Sequence, residues 1–376
     1  MDTLIERTLQ HRADVAPLHE ASPATVQRRA AQVRGRRRAA ATSLIAGVAV
    51  VVAVAATVGV GSELGRGHHA PQPAAPTPTQ APRVVELGSL TDLAQGDRPA
   101  IGYGYGLRLH LADGTTRPVP GKKAYESWTT FAGGFLVASS DLSALTRYAG
   151  DGTPEARYTP GAPPAVSTDG RRAAWVDDGG HVDIARGFAD GGMQVTRRAV
   201  PDVTGVVGFL PDGGVAVAGR GRGRVVDGGD RVRRLPALVS PNATSEAGAL
   251  VAGQTARGDY AVVSSATDRV LWRSRLLVTG FSSDGRYALG LADGSAPRTL
   301  ALLDARTGGV VRTLQLPRHT RIYAPRWEDA AHVLAIVVDS RGQRQALVRF
   351  GVDGSLARAT AVTSSEEHVY ILQKTP

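Results

Sequence analysis

Residues 282–291 read Ser-Ser-Asp-Gly-Arg-Tyr-Ala-Leu-Gly-Leu, and 115 positions earlier residues 167–176 read Ser-Thr-Asp-Gly-Arg-Arg-Ala-Ala-Trp-Val. Each stretch sets Asp-Gly between apolar runs. This is a strong hairpin signal, because a two-residue turn of that type asks both central residues to adopt positive φ. Working outward, a turn signal followed by an apolar run recurs at Asp97, Gly133, Asp169, Asp212, Ala247, Asp284 and Asp329, in steps of 35 to 45 residues. A second turn follows 15 to 24 residues later in each unit, at Asp113, Asp151, Asp190, Asp227, Asp268, Thr307 and Asp353.

The sixth unit shows the layout best. Val278–Phe281, a turn at Asp284, Arg286–Leu291, a loop, Thr299–Leu303, a turn at Gly308 and Val310–Leu316 make four strands. Four antiparallel strands per repeat of about 40 residues is the blade of a β-propeller, which hides sheet edges by radial repetition. A β-sandwich is the alternative, but it does not predict paired turns at a fixed offset seven times over. The spacing therefore predicts an all-β, seven-bladed β-propeller over residues 84–376. Extending the period past Asp329 predicts a further first strand at Val369–Leu372, which would close the ring on the first blade, in competition with Val84–Leu87.

The rest of the chain has a different composition. Residues 39–61 contain no ionisable side chain, and such a run is long enough, at about 1.5 Å per residue, to cross a hydrocarbon core of about 30 Å as one helix. Arg34, Arg36, Arg37 and Arg38 precede it while Glu63 and Arg66 follow, so the positive-inside rule places residues 1–38 in the cytoplasm and the propeller outside the cell. A cleaved signal peptide is the rival reading, but its charged region would be 38 residues long. Within the basic tail, apolar Leu4, Ile5 and Leu9, and then Ser22-Pro23 ahead of Val26, Ala30 and Val33, predict two short helices. The proline-rich stretch 62–83 predicts a disordered stalk.

Composition narrows the chemistry. The chain has no cysteine, which excludes disulfides, thiolate metal sites and thiol nucleophiles. Its net charge of +10 is spread along the sequence apart from the run beside the apolar segment, so no nucleic-acid partner is expected. No nucleophile elbow, zinc-helix motif, phosphate-binding loop or dinucleotide fingerprint occurs. The expectation is a protein without catalytic residues, metal site or cofactor, anchored in the lipid bilayer.

Ser282–Arg286 with its apolar run, and Leu302, Leu303, Asp304, Thr307 and Gly308 with Leu314 and Leu316, resemble repeats of the TolB-like and WD40-like propeller families. The Trp-Asp dipeptide of WD40 repeats is missing, so ligand residues do not carry over. An Arg-rich tail, one span, a Pro-rich stalk and a propeller together resemble actinobacterial single-pass membrane proteins, some of which accompany extracytoplasmic-function sigma factors. For those the resemblance implies an anti-sigma role, with the tail contacting a sigma factor. The zinc-binding His and Cys motif of one anti-sigma class is absent.

Propellers bind ligands at loops joining the second strand to the third and the fourth to the next blade. On the strand map these carry Arg220, Arg222, Arg257, Arg298, Arg318 and Arg321, with Lys122, Lys123, His319 and Arg341 nearby. Fewer acids, notably Asp177, Asp178, Asp202, Asp293 and Asp339, share that face. The surplus predicts an extracytoplasmic protein or an anionic ligand as partner. The function expected is that of a membrane-anchored binding or sensor protein. The alternatives are a scaffold with an inert anchor and a propeller hydrolase, which would need clustered acids or histidines at the channel mouth.

Overall fold

The computed structural model describes residues 83–375, except 120–124, 189–191, 229–230, 293–296 and 367. The tail, the apolar run and almost all of the proline-rich stretch lie outside the described residues, as do Lys122, Lys123, Asp190 and Asp293.

The described residues form strands and no helix, arranged in seven sheets of four or five strands. Blade 6 pairs Leu277–Phe281, Tyr287–Leu291, Thr299–Asp304 and Val310–Gln315 in chain order, matching the four predicted strands to within a residue or two. Blades 2, 3, 4, 5 and 7 repeat that order and begin with Tyr125–Phe131, Ala165–Val166, Val203–Phe209, Ser240–Ser245 and Thr320–Trp327. From blade 3 through blade 7 successive first strands contact one another, and Tyr370–Leu372 contacts those of blades 7 and 2, so that these strands form the inner wall.

What joins the blades is apolar packing between sheets. Seven buried clusters each join two neighbouring blades. Phe131, Leu136 and Leu145 of blade 2 meet Trp175 and Ala185 of blade 3, and Ala252 and Trp272 of blade 5 meet Phe281 and Leu303 of blade 6. The seventh brings Leu334, Ile336 and Leu347 of blade 7 against Ile101, Tyr370 and Leu372 of blade 1. One cluster per seam, including the seam between last and first blades, makes a closed ring, a seven-bladed β-propeller.

The closing strand is the C-terminal one. Tyr370–Leu372 pairs with Tyr103–Tyr105, Gly104 standing opposite Ile371, and Arg108–His110 and Thr116–Pro118 complete blade 1. Arg83–Glu86 instead adds a fifth, parallel strand to the outer edge of blade 6, with Val85 opposite Leu314. This assignment alters one expectation: Asp97 does not turn a hairpin, because the strand before it in the sheet comes from the other end of the chain. The segment around it is clamped to blade 7, where Gly96 donates to the Arg358 carbonyl at 2.8 Å and Arg349 Nη1 to that of Asp97 at 3.1 Å.

The Asp-Gly turns also differ from expectation in an instructive way. Only the glycines take positive φ, for example +67° at Gly170 and +70° at Gly285. The aspartate ahead of each acts through its side chain. Asp169 Oδ1 accepts from the Arg171 amide at 3.0 Å and the Ser167 hydroxyl at 2.5 Å, and Asp284 Oδ1 from the Arg286 amide at 3.1 Å and the Ser282 hydroxyl at 2.6 Å. Asp113, Asp151, Asp212 and Asp353 make the same bond two residues on, at 2.8 to 2.9 Å. Aspartate is chosen because its carboxylate replaces a backbone acceptor within the turn.

Candidate functional site

The inner strands share an irregularity near their starts. The pairing register slips between Tyr125 and Ser127, Val203 and Gly205, Pro241 and Ala243, Val278 and Gly280, and Tyr323 and Arg326. Such a bulge inserts an unpaired residue and re-aims its side chain. Glu126, Thr204 and Asn242 are consequently exposed between residues that are buried or half-buried, and Tyr323 and Ala324 are exposed together on the inner strand of blade 7. A strand whose free edge faces the axis exposes such residues toward the channel.

At the other end of these strands, where they turn into the second strand of each blade, lies a cavity of about 490 Å³ to which all seven blades contribute. That volume is within the usual range for small-molecule sites. Val166, Phe209, Phe281 and Trp327 provide apolar wall, and Thr130, Thr168, Thr244, Ser282 and Ser283 provide hydroxyls. Gln373 and Thr375, just past the closing strand, line it too. Gln373 is fixed by accepting from the Gly102 amide at 3.0 Å and donating to Thr130 Oγ1 at 3.0 Å.

The acids at this mouth are held by the fold. Glu328, whose side chain is 1% exposed, pairs with Arg349 Nε at 2.5 Å and Nη2 at 2.8 Å, and accepts from the Ala100 amide. Glu246 accepts from Arg172 Nη2 at 2.6 Å and from both the amide and the hydroxyl of Thr168 at 2.8 Å. For Asp329, burial works to raise the carboxyl, but the Ala331 and His332 amides, each 2.7 Å away, and the His332 ring hold it below the usual carboxylate range. Among the described residues no group of three or more His, Asp or Glu could hold a metal ion.

The arginines named from sequence occupy the opposite end. Arg220 and Arg222 bound the second loop of blade 4, Arg257 lies in that of blade 5, and Arg318 joins blades 6 and 7; all four are exposed. Arg298 and Arg321 are half-buried and tie loops together. Arg298 Nη2 donates to the Leu316 carbonyl at 2.9 Å, and Arg321 Nη1 to that of Arg318 at 2.8 Å. On the same end, burial opposes ionisation of Asp177, yet the amide and ring of His181 and the Arg197 guanidinium hold its carboxyl below the usual range. These arginines are spread over blades 4, 5, 6 and 7 at that end. The cavity on the other face was missed because its lining is one or two ordinary residues from each of seven repeats, and only the ring assembles them.

No protein-family model and no curated protein matches this sequence. Among solved structures, the β-propeller domain of Myceliophteria thermophila Cps50 (Swd1) is similar over 64% of this chain and 87% of its own, at 12% identity and a TM-score of 0.47. Kuenenia stuttgartiensis hydrazine synthase is similar over 67% of this chain and 96% of its own, at 13% identity and a TM-score of 0.46. The fold assignment rests on the seven sheets and seven seams, not on these likenesses.

Proposed function

We propose that this chain is a membrane-anchored, non-catalytic binding or sensor protein whose propeller faces the outside of the cell and whose basic tail contacts a cytoplasmic partner, a sigma factor being the partner the resemblance suggests. The observation that carries the binding role is the axial cavity, a concave site of mixed apolar and hydroxyl lining built jointly by all seven blades. The anchor and its orientation are supported by the uncharged run at 39–61 with the arginines of 34–38 before it.

The absence of cysteine makes the test clean. Single cysteines replacing Ser22 in the tail and Ser283 at the cavity rim are labelled in intact cells with a membrane-impermeant maleimide. Labelling at 283 and protection at 22 until the cells are lysed is the expected result; the reverse pattern, or recovery of the whole chain in the soluble fraction, contradicts the reading. Retention of a sigma factor by residues 1–38 used as bait tests the cytoplasmic half, and retention of nothing beyond lipid removes it.

A further inference from the structure

The binding reading above leaves the ligand's chemistry open, and two cations inside the ring bear on it. Lys374 stands two residues past the closing strand. Its amide donates to the Trp128 carbonyl at 3.0 Å and its own carbonyl accepts from Thr129 Oγ1 at 2.9 Å, so its backbone is fixed against the inner strand of blade 2. Its ammonium reaches the Pro164 carbonyl at 3.1 Å, immediately ahead of the inner strand of blade 3. Arg326 belongs to the inner strand of blade 7, which contacts the closing strand that leads to Lys374. Two cations on adjoining inner segments, one of them reaching the start of blade 3, have only the channel in common.

Their height is set by their neighbours. Arg326 directly precedes Trp327, and Pro164 comes two residues before Val166, both of which line the axial cavity. The two cations therefore lie just beneath the cavity.

What they touch decides what they attract. Arg326 Nη1 donates to the Pro325 carbonyl at 3.3 Å, and Lys374 likewise binds a carbonyl. Among the described residues neither has a carboxylate within ion-pair distance. Burial lowers the affinity of both for their protons, bringing Lys374 down to about 8; Arg326 pushes Lys374 the same way, and Glu126, on the bulge of blade 2, draws it back. The acids that line the cavity above them are already bonded, Glu246 to Arg172, Glu328 to Arg349, Asp329 to His332 and Asp113 to the amide and hydroxyl of Thr115. Five buried donors on inner strands, Tyr125 Oη, Ser127 Oγ, Trp128 Nε1, Thr279 Oγ1 and Trp327 Nε1, have no protein partner, an arrangement that buried polar groups seldom keep. Like charges half-buried in one channel are costly to maintain, and a multiply charged oxyanion taken up there offsets that cost.

We infer that Lys374 and Arg326 form an anion site in the channel, taking the phosphate or carboxylate end of a small ligand whose remainder occupies the hydroxyl-lined cavity above. Because Lys374 lies two residues past the strand that closes the ring, an anion held there also pins the closure. Occupancy of the site is thereby linked to the tightness of the propeller.

The inference rests on the binding role but not on the membrane orientation, so it is tested on the purified full-length chain in detergent. Calorimetric titration at pH 7 uses inorganic phosphate in one arm and citrate in the other, which distinguishes phosphate from carboxylate recognition. Saturable one-to-one binding is expected in at least one arm, weakened roughly tenfold or more in Lys374→Gln and in Arg326→Gln. Lys374→Arg, which keeps the charge, is expected to retain binding, and citrate affinity is expected to fall as pH rises from 7 to 9.5 and Lys374 loses its proton. Circular dichroism establishes that each variant is folded, and Arg326→Gln carries the test if Lys374→Gln is not. Absence of saturable binding in both arms overturns the inference. So do unchanged affinities in the folded variants, or a loss confined to Arg220→Gln and Arg222→Gln, which would move the site to the loop face.

Discussion

Blades 6 and 1 are built from the same kind of repeat and held in opposite ways. Blade 6 is local: its four strands of five or six residues follow one another along the chain, and Arg83–Glu86 adds a fifth. Blade 1 is assembled from both ends of the domain, with four strands of three residues each, and its inner strand is separated from the next by 265 residues of sequence (Tyr370 against Tyr105). Local pairing incurs little loop-closure entropy, while a contact between distant segments must offset much more. The ring therefore has one seam whose stability depends on a short strand, and that seam is also where Gln373, Lys374 and Thr375 reach the channel.

The largest effect expected from this asymmetry comes from deleting residues 370–376. Tyr370 and Leu372 are 4% and 5% exposed, and full burial of each contributes about 1.5–3 kcal/mol. The truncated chain should lose at least about 3–6 kcal/mol on urea unfolding. Deleting Arg83–Glu86, which only extends an edge, should cost far less; equal losses would remove the distinction between the blades.

Next come the seams themselves. Trp272 lies between blades 5 and 6, donates from Nε1 to the Ala305 carbonyl at 2.8 Å, and packs so closely under Gly308 (φ +74°) that a Cβ there would come within 2.7 Å of its ring. Trp272→Ala should destabilise by about 3–5 kcal/mol. Its effect should be on the global midpoint, read by denaturant unfolding, and a loss below about 1 kcal/mol would mean that this seam is not needed.

Smaller again are the turns. Asp169→Ala and Asp284→Ala each remove a carboxylate that accepts a backbone amide, and each should cost about 1 kcal/mol. The carboxyl of Asp169 is held below the ordinary range, first by the Ser167 hydroxyl, against some burial. A carboxyl whose folded pKa is depressed stabilises the fold above its unfolded value near 4 and loses that contribution as pH falls below it. Thermal midpoints should decline through that range, and the decline should be shallower in Asp169→Ala; a parallel decline in the variant would show that this turn does not contribute.

The smallest effect expected is at the alkaline side. Lys374 is depressed to about 8 by burial, with Arg326 adding to it and Glu126 opposing. Between that value and the unfolded one near 10.4 the unfolded chain holds a proton the folded chain has released, so the folded state gains stability as pH rises. The anion-free protein should become slightly more stable from pH 8 to 9.5, and Lys374→Gln should abolish the rise; a rise kept in the variant would assign it to another group.

How legible this was depends on the same local and non-local division. Blade 6 could be read from residues 278–316 because every turn signal lies between the strands it joins. The period continued past Asp329 also called for another inner strand, which is how Val369–Leu372 was placed. Asp97 misled because spacing records a repeat unit but not which end of the chain supplies its first strand. The turn conformation was misread for a different reason: Asp-Gly is compatible with two turn types, and the choice was made by the carboxylate accepting an amide two residues on. The channel cations were not legible at all. Lys374 and Arg326 are 48 positions apart and ordinary in sequence, and only ring closure brings them together.

Hydrogen exchange of the full-length chain, compared with the chain lacking residues 370–376, tests the closure most directly. Amides of residues 103–110 should be protected in the complete protein and lose that protection on truncation, while residues 250–264 of blade 5 are the last to follow. Unchanged protection at 103–110 would mean that another segment closes the ring.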